Sequence, residues 1–95
     1  MAQAAQGEPD LERDRQRIDR LDEALARLLH ERVRIALHLG RRKRAAGLPL
    51  KVPERETEVL RRVAALSGGS LPEESVQRVF RVIMDETLAA EHAGP

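Results

Sequence analysis

The sequence predicts an all-α protein with three helices per chain: one long, one short and one of medium length. The first observation behind this prediction is composition, because 41% of the 95 residues are hydrophobic although the chain has one Phe and no Trp or Tyr. Leu, Val, Ile and Ala must therefore build the core, whereas sandwiches and barrels depend more on aromatic and β-branched residues. The second observation is that apolar residues recur at steps of three, four and seven, which is the spacing of a helix face.

The first helix is predicted from about residue 11 to residue 45, with Asp10 as its N-cap. No proline lies within this range, and Gly47 and Pro49 are expected to end the helix. Residues 1–10 are predicted to form a flexible N-terminal tail. The apolar face of the helix consists of Leu11, Ile18, Leu21, Leu25, Leu28, Ile35 and Leu39.

The second, short helix is predicted to begin at Pro53, because proline suits the first position of a helix. The residues SGG at 67–69 are expected to end it. The third helix is predicted to open with a capping box formed by Ser70 and Glu73. It should fade near Glu91, before the chain reaches its last glycine and proline.

The length of the first helix predicts a homodimer. A helix of about 35 residues is about 52 Å long, whereas a compact monomer of this size has a radius of gyration of about 12–13 Å. Such a helix would protrude with its leucines exposed, and the two shorter helices cannot cover all of them. Two long helices that pack along each other would bury this face.

Charge and composition argue against several other classes of protein. The formal net charge is +1, from 17 Lys and Arg against 16 Asp and Glu, and one Phe is the single aromatic residue that could stack on bases. A nucleic-acid role for the basic run at 41–44 is therefore disfavoured. The chain has no cysteine, and no apolar run approaches the ~20 residues of a membrane span. We therefore expect a soluble, cytoplasmic protein without membrane contact. His30, His38 and His92 lack metal-ligand spacing and are expected at the surface.

Polar residues occur where the helical pattern requires apolar ones. Arg32 takes a heptad position that Leu or Ile holds elsewhere in the first helix, and Lys43 follows 11 residues later. The two side chains should project about 20° apart around the helix and about 16 Å apart along it. Glu56 is in register with the inward face of the second helix, and Thr87 and Glu91 continue the inward row of the third.

A partly buried cluster with excess positive charge suggests a small anionic ligand. Arg15 lies 17 residues before Arg32, or about 25 Å along the helix, so the two cannot share a small ligand within one chain. In a dimer with antiparallel long helices, Arg15 of one chain could reach the site of the other. Arg41, Arg42 and Arg44 are expected to be solvated or to steer an anion toward the site.

Four stretches of the sequence resemble the all-helical AroQ class of chorismate mutases. They are RQRIDRLD at 15–22, LLHER at 28–32, GRRK at 40–43 and PERE at 53–56. The resemblance covers nearly the whole chain and implies that residues 11–93 form a chorismate mutase domain. It implies an intertwined homodimer that converts chorismate to prephenate, a step toward Phe and Tyr, without metal or cofactor. A separate enzyme of the aromatic pathway is a candidate partner.

The resemblance also implies a role for each site residue. Arg32, and Arg15 from the partner chain, would bind the carboxylates of the substrate, and Arg55 would belong to the same cationic wall. Lys43 would donate to the ether oxygen of the breaking C–O bond. Glu56 would accept a hydrogen bond from the C4 hydroxyl, Thr87 would lie near a carboxylate, and Glu91 would be the second donor to the ether oxygen.

Two positions depart from the commonest pattern of that class. Val52 lies where some members have an Asp that contacts the C4 hydroxyl, so isochorismate pyruvate lyase and 4-amino-4-deoxychorismate mutase of the same fold remain alternatives. Glu91 lies where many bacterial members have Gln, and it can donate to the ether oxygen only when protonated. Activity should therefore fall as the pH rises. An alternative of another kind is a non-catalytic helical module for dimerisation or regulation.

Overall fold

The fold consists of three α-helices. A computed structural model describes the backbone of residues 2–66 and 68–94, and within these ranges it describes side chains from residue 9 onward. The helices are α1 (Ala2–Ala45), α2 (Pro53–Ala65) and α3 (Glu73–Ala93). The all-α prediction and the order of long, short and medium helix are confirmed, and the described part of the chain contains no strand. None of these helices is both long and apolar enough to cross a lipid bilayer.

The predicted start of the first helix is wrong. We predicted an N-cap at Asp10, but α1 begins at Ala2 and includes Pro9. The reason is that residues 2–6, AQAAQ, are strong helix formers. The helix continues past Pro9, although proline has no amide hydrogen to donate to the preceding turn.

The end of α1 was predicted correctly. The Leu48 amide donates to the Lys43 carbonyl at 2.8 Å, and the Gly47 amide donates to the Arg44 carbonyl at 3.1 Å. Gly47 has a φ of +70°, which a residue without Cβ adopts at no steric cost. Together these features form a Schellman motif, which satisfies the last carbonyls of the helix and turns the chain toward α2.

The first residue of α2 is Pro53, as predicted, whereas the predicted start of α3 is wrong. Ser70 does not cap α3; the N-cap is Pro72, with φ −59° and ψ 151°, and the helix begins at Glu73. A capping box at Ser70 requires Leu71 to be helical, but a residue that precedes proline is driven out of the helical region. The proline therefore delays the helix by two residues.

The chain divides into two compact units, Met1–Val33 and Arg34–Pro95. The first unit is the N-terminal part of α1, and most of its large apolar side chains are more than half exposed, for example Leu21 at 63% and Leu25 at 64%. Leu11, Ile18 and Leu28 belong to the same exposed face. An apolar surface of this extent on one helix marks a contact surface.

The second unit contains the end of α1 and the packed pair α2 and α3. Among the described residues, its buried apolar side chains are Val59 and Ala64 on α2 and Met84 on α3. The Gln77 side-chain amide donates to the Leu60 carbonyl at 3.2 Å and joins the two helices. Small domains bury a low fraction of their surface, and this core is small even by that standard.

Candidate active site

The last two turns of α1 carry Lys43, which is half-buried. Its Nζ donates a hydrogen bond of 3.2 Å to the carbonyl of Leu50 in the segment between α1 and α2. An ammonium group has three donors, so this bond fixes the lysine while two donors remain for a ligand. The Lys43 ammonium group is therefore held in place but still has hydrogen-bond donors to offer.

Glu91 of α3 reaches the same region through a glycine. A Cβ atom added at Gly40 would lie 2.6 Å from Glu91 Oε2, so only glycine permits the carboxyl group to approach α1 this closely. Gly40 and Lys43 are three residues apart in a helix and share a face. The carboxyl group of Glu91 thus packs against the face of α1 that carries Lys43.

Arg44 anchors the end of α3 beside this contact. Its Nη1 donates to the carbonyl of Gly94 at 2.7 Å, and its Nη2 donates to the backbone carbonyl of Glu91. The last carbonyls of a helix have no partner within the helix and interact favourably with a cation. Arg44 is exposed, as predicted, but it also fixes the backbone that carries the Glu91 side chain.

Glu56 in the first turns of α2 is held by two cations. Lys51 Nζ lies 3.0 Å and 3.1 Å from its two carboxylate oxygens, and Arg81 Nη1 from α3 lies 2.9 Å from Oε1. Only 16% of the Glu56 side chain is exposed. The hydrogen bond from Arg81, followed by the one from Lys51, lowers the pKa of Glu56 below its ordinary value.

Other predicted site residues of the second unit have partners nearby in the chain. Arg55 forms an ion pair with Glu58 at 2.7 Å, with both side chains about half exposed, and such a pair is weak enough to release the arginine to a ligand. Thr87 is buried, and its hydroxyl donates to the Ile83 carbonyl at 2.6 Å. In this conformation that hydroxyl is not available to donate to a carboxylate. Val52 is the N-cap of α2 and offers no side-chain oxygen.

Arg15 and Arg32 both lie on α1 in the first unit. Arg32 is half-buried, whereas Arg15 is exposed and lines an open concavity of about 430 Å³ with Pro9, Leu11 and Glu12. The roles given to both arginines, and to the site residues of the second unit, stay predictions.

Sequence reasoning missed two residues of the Glu56 cluster, Arg81 and Lys51. Arg81 could have been found by the criterion that found Arg32, because it lies three and seven residues before Met84 and Leu88 on the apolar face of α3. Lys51 has no such signal, since it lies in a connecting segment between two helices.

A second concavity, of about 500 Å³, lies between α2 and α3. Its lining residues include Thr57, Arg61, Glu73 and Gln77. None of the predicted site residues belongs to its lining, so this groove is separate from the region around Lys43 and Glu56.

These features define a class of protein: an all-helical chain in which hydrogen bonds fix cations and carboxyl groups close to one another. Residues 14–92 match the family described as chorismate mutase type II. A solved chorismate mutase (form II) from Thermus thermophilus is 35% identical, with a TM-score of 0.80, over 82% of this chain and 89% of that one. The chain belongs to the type II chorismate mutase family.

Two curated relatives are longer proteins named bifunctional chorismate mutase/prephenate dehydratase. The one from Neisseria gonorrhoeae is 47% identical over 81% of this chain, and the one from Aquifex aeolicus is 38% identical over 86% of it. This chain spans only 21% and 24% of their respective lengths. The family match begins at residue 14, and the assignment of residues 1–10 to a tail outside the domain stays a prediction.

Proposed function

We propose that this chain catalyses the Claisen rearrangement of chorismate to prephenate, a step toward Phe and Tyr. The observation that carries the proposal is the contact of the Glu91 carboxyl group with Gly40, on the face of α1 that bears Lys43. An intramolecular rearrangement needs neither a nucleophile nor a general base. It needs a flexible dianion held in a reactive, chair-like conformation and positive charge where negative charge develops.

Lys43 and Glu91 would act on the ether oxygen of the breaking C–O bond. Lys43 supplies a fixed point charge with two donors to spare beside its bond to Leu50. Protonated Glu91 supplies a second hydrogen-bond donor. These two groups stabilise the oxygen more as it becomes negative, and this preference for the transition state raises kcat.

The carboxylates of the substrate would bind to arginines. The planar guanidinium group of Arg32 matches a carboxylate with two parallel hydrogen bonds. Arg55 would become available to a carboxylate when its exposed pair with Glu58 opens. Glu56 would accept the C4 hydroxyl hydrogen, and Thr87 would contribute only after its hydroxyl leaves the Ile83 carbonyl.

We further propose that the active form is an intertwined homodimer in which Arg15 completes the partner's site. The support is the small share of apolar side chains that is buried. Among the described residues only three hydrophobic side chains are buried, whereas a row of leucines and isoleucines on α1 is exposed. Burying one such side chain contributes about 1.5–3 kcal/mol. A second copy of α1 offers the matching surface, because a twofold interface is self-complementary.

The fusions among the relatives support a functional link to an enzyme that consumes prephenate. The names of the proteins from Aquifex aeolicus and Neisseria gonorrhoeae join chorismate mutase with prephenate dehydratase. We propose that this chain also delivers prephenate to an enzyme of the aromatic pathway, whether separate or attached.

The direct test of the proposed function is to incubate the purified protein with chorismate, isochorismate and 4-amino-4-deoxychorismate and to identify the products. Prephenate from chorismate is expected. Pyruvate from isochorismate with little prephenate, or turnover of only the amino compound, would assign the chain to another activity of the same fold. Retention of chorismate without turnover would indicate a binding module.

Replacement of Glu91 by glutamine is expected to change the pH dependence. The wild-type kcat should fall as the pH rises, because an ionised carboxylate cannot donate and repels the developing charge. Glutamine has nearly the same shape and donates at every pH, so Glu91→Gln should hold its kcat through the alkaline range. The measurement is kcat for prephenate formation by both proteins as a function of pH. Superimposable profiles for the two proteins would remove Glu91 from this role.

Replacement of Gly40 by alanine is expected to lower activity without loss of stability. The new methyl group would lie 2.6 Å from Glu91 Oε2 and must push this flexible side chain aside. Alanine also favours the helix by about 1 kcal/mol over glycine. We therefore expect kcat to fall about 10-fold or more, while thermal unfolding shows an unchanged or higher Tm. A large drop in Tm, or unchanged kcat, would contradict this account of the contact.

A further inference from the structure

One cluster of charged residues contains two members that the proposed chemistry does not use. We call it the Glu56 clamp, and it consists of Lys51 in the connecting segment, Glu56 on α2 and Arg81 on α3. Arg81 also lies 3.7 Å from Asp85 one turn later on α3. The cations that face Glu56 thus come from two elements. Lys51 lies in the segment before α2, and Arg81, which is also paired with Asp85, lies on α3.

The geometry of the clamp leaves one part of the carboxylate open. Oε1 of Glu56 accepts hydrogen bonds from Lys51 at 3.0 Å and from Arg81 at 2.9 Å, whereas Oε2 accepts one from Lys51 at 3.1 Å. A carboxylate has about four lone-pair positions in total. Oε2 therefore retains room to accept one more hydrogen bond, and the plane of the carboxylate is fixed by donors from two directions.

Arg81 and Lys51 are unequal members of the clamp. Lys51 is 52% exposed and belongs to a connecting segment, while Arg81 is 40% exposed and belongs to a helix that packs on α2. Arg81 also contributes most to lowering the pKa of Glu56. A long exposed lysine on its own would hold the carboxylate in many orientations, since such pairs gain little in water.

We propose that Arg81 is a positioning residue that holds the Glu56 carboxylate in one orientation, with Oε2 directed to accept a hydrogen bond from a neutral hydroxyl of the substrate. This inference rests on the proposed function and deepens it. Val52 makes the clamp more important, because it offers no second acceptor at that end of α2. The whole acceptor role therefore falls on one carboxylate, whose direction Arg81 sets.

The test compares Arg81→Ala, Arg81→Lys and the control Arg78→Ala in the full chain. Arg78 is exposed on the same helix, and its side chain donates to the hydroxyl of Ser75, which is not a member of the clamp. For Arg81→Ala we expect kcat/KM with chorismate to fall about 10- to 100-fold, because the acceptor is misplaced. Arg81→Lys should recover part of the loss, and Arg78→Ala should behave as wild type.

The pH profile separates positioning from a structural role. Loss of Arg81 raises the pKa of Glu56 toward its ordinary value, so the acidic limb of kcat/KM should move to higher pH in Arg81→Ala. It should stay in place in Arg78→Ala. The Lys variant should lie between Arg81→Ala and the wild type, because a cation is restored without the planar fork.

A double-mutant cycle completes the test. If Arg81 acts through Glu56, Arg81→Ala should reduce kcat/KM no further in a Glu56→Gln background. Additive losses, or an acidic limb that does not move, would overturn the role of Arg81 while the wild-type enzyme still forms prephenate. A wild-type protein that forms no prephenate would overturn the proposed function and this inference together.

Discussion

The Lys43→Ala variant is expected to lose about 100- to 1,000-fold in kcat, which is the cost of removing one preorganised donor from a developing negative charge. The ammonium group is already fixed by the Leu50 carbonyl at 3.2 Å. The ammonium group therefore does not have to be ordered when the transition state forms, and removal of the group should lower kcat more than it changes KM. The measurement is the initial rate of prephenate formation over a range of chorismate concentrations.

The matched control for this variant is Arg42→Ala. Arg42 is the exposed neighbour of Lys43 on α1, and its loss removes the same charge from the same turn. We expect a change of at most a few-fold, because exposed charges are screened by salt. Thermal unfolding of both variants must be recorded as well, since Lys43 also ties α1 to the following segment. Equal kcat for Lys43→Ala and wild type would exclude the proposed role of the lysine.

The elements that the sequence predicted well are those with local chemical causes. Pro53 begins α2, and Gly47 ends α1 with a positive φ, because each residue restricts or frees its own backbone. The errors arose where two local signals competed. The capping box at Ser70 did not form because the proline at 72 keeps the preceding residue out of the helix. Asp10 is not an N-cap because the helix-forming residues before it are themselves helical.

The candidate site shows a different limit of sequence reasoning. Glu91 and Lys43 could be placed on inward faces from periodicity alone, but the contact of the Glu91 carboxyl group with Gly40 depends on how α3 meets α1. Arg81 and Glu56 are 25 residues apart, and no local pattern joins them. Thr87 was correctly predicted to face the interior. Its hydroxyl, however, donates to the Ile83 carbonyl one turn earlier in the same helix, and residue spacing does not predict this hydrogen bond.

The second large effect is expected at Arg15, and it can decide which chain supplies this residue. Arg15→Ala and Arg32→Ala should each lower kcat/KM about 100-fold or more, since each removes one partner of a charged, hydrogen-bonded pair with a substrate carboxylate. The two variants are then expressed together with different affinity tags, and doubly tagged dimers are purified. In such a dimer, the Arg15→Ala chain keeps its own Arg32 and would receive Arg15 from its partner. The other site lacks both arginines.

The mixed dimer should therefore show about half of the wild-type kcat per dimer, because one of two equivalent sites is intact. If Arg15 served its own chain, each site would lack one arginine and activity would stay at the level of the single variants. The control is a doubly tagged dimer in which both chains carry Arg15→Ala, which should remain inactive under either arrangement. Failure to obtain any doubly tagged species would contradict the homodimer itself. Recovery of activity would link the exposed leucines of α1 to catalysis, since the interface that buries them would deliver the arginine.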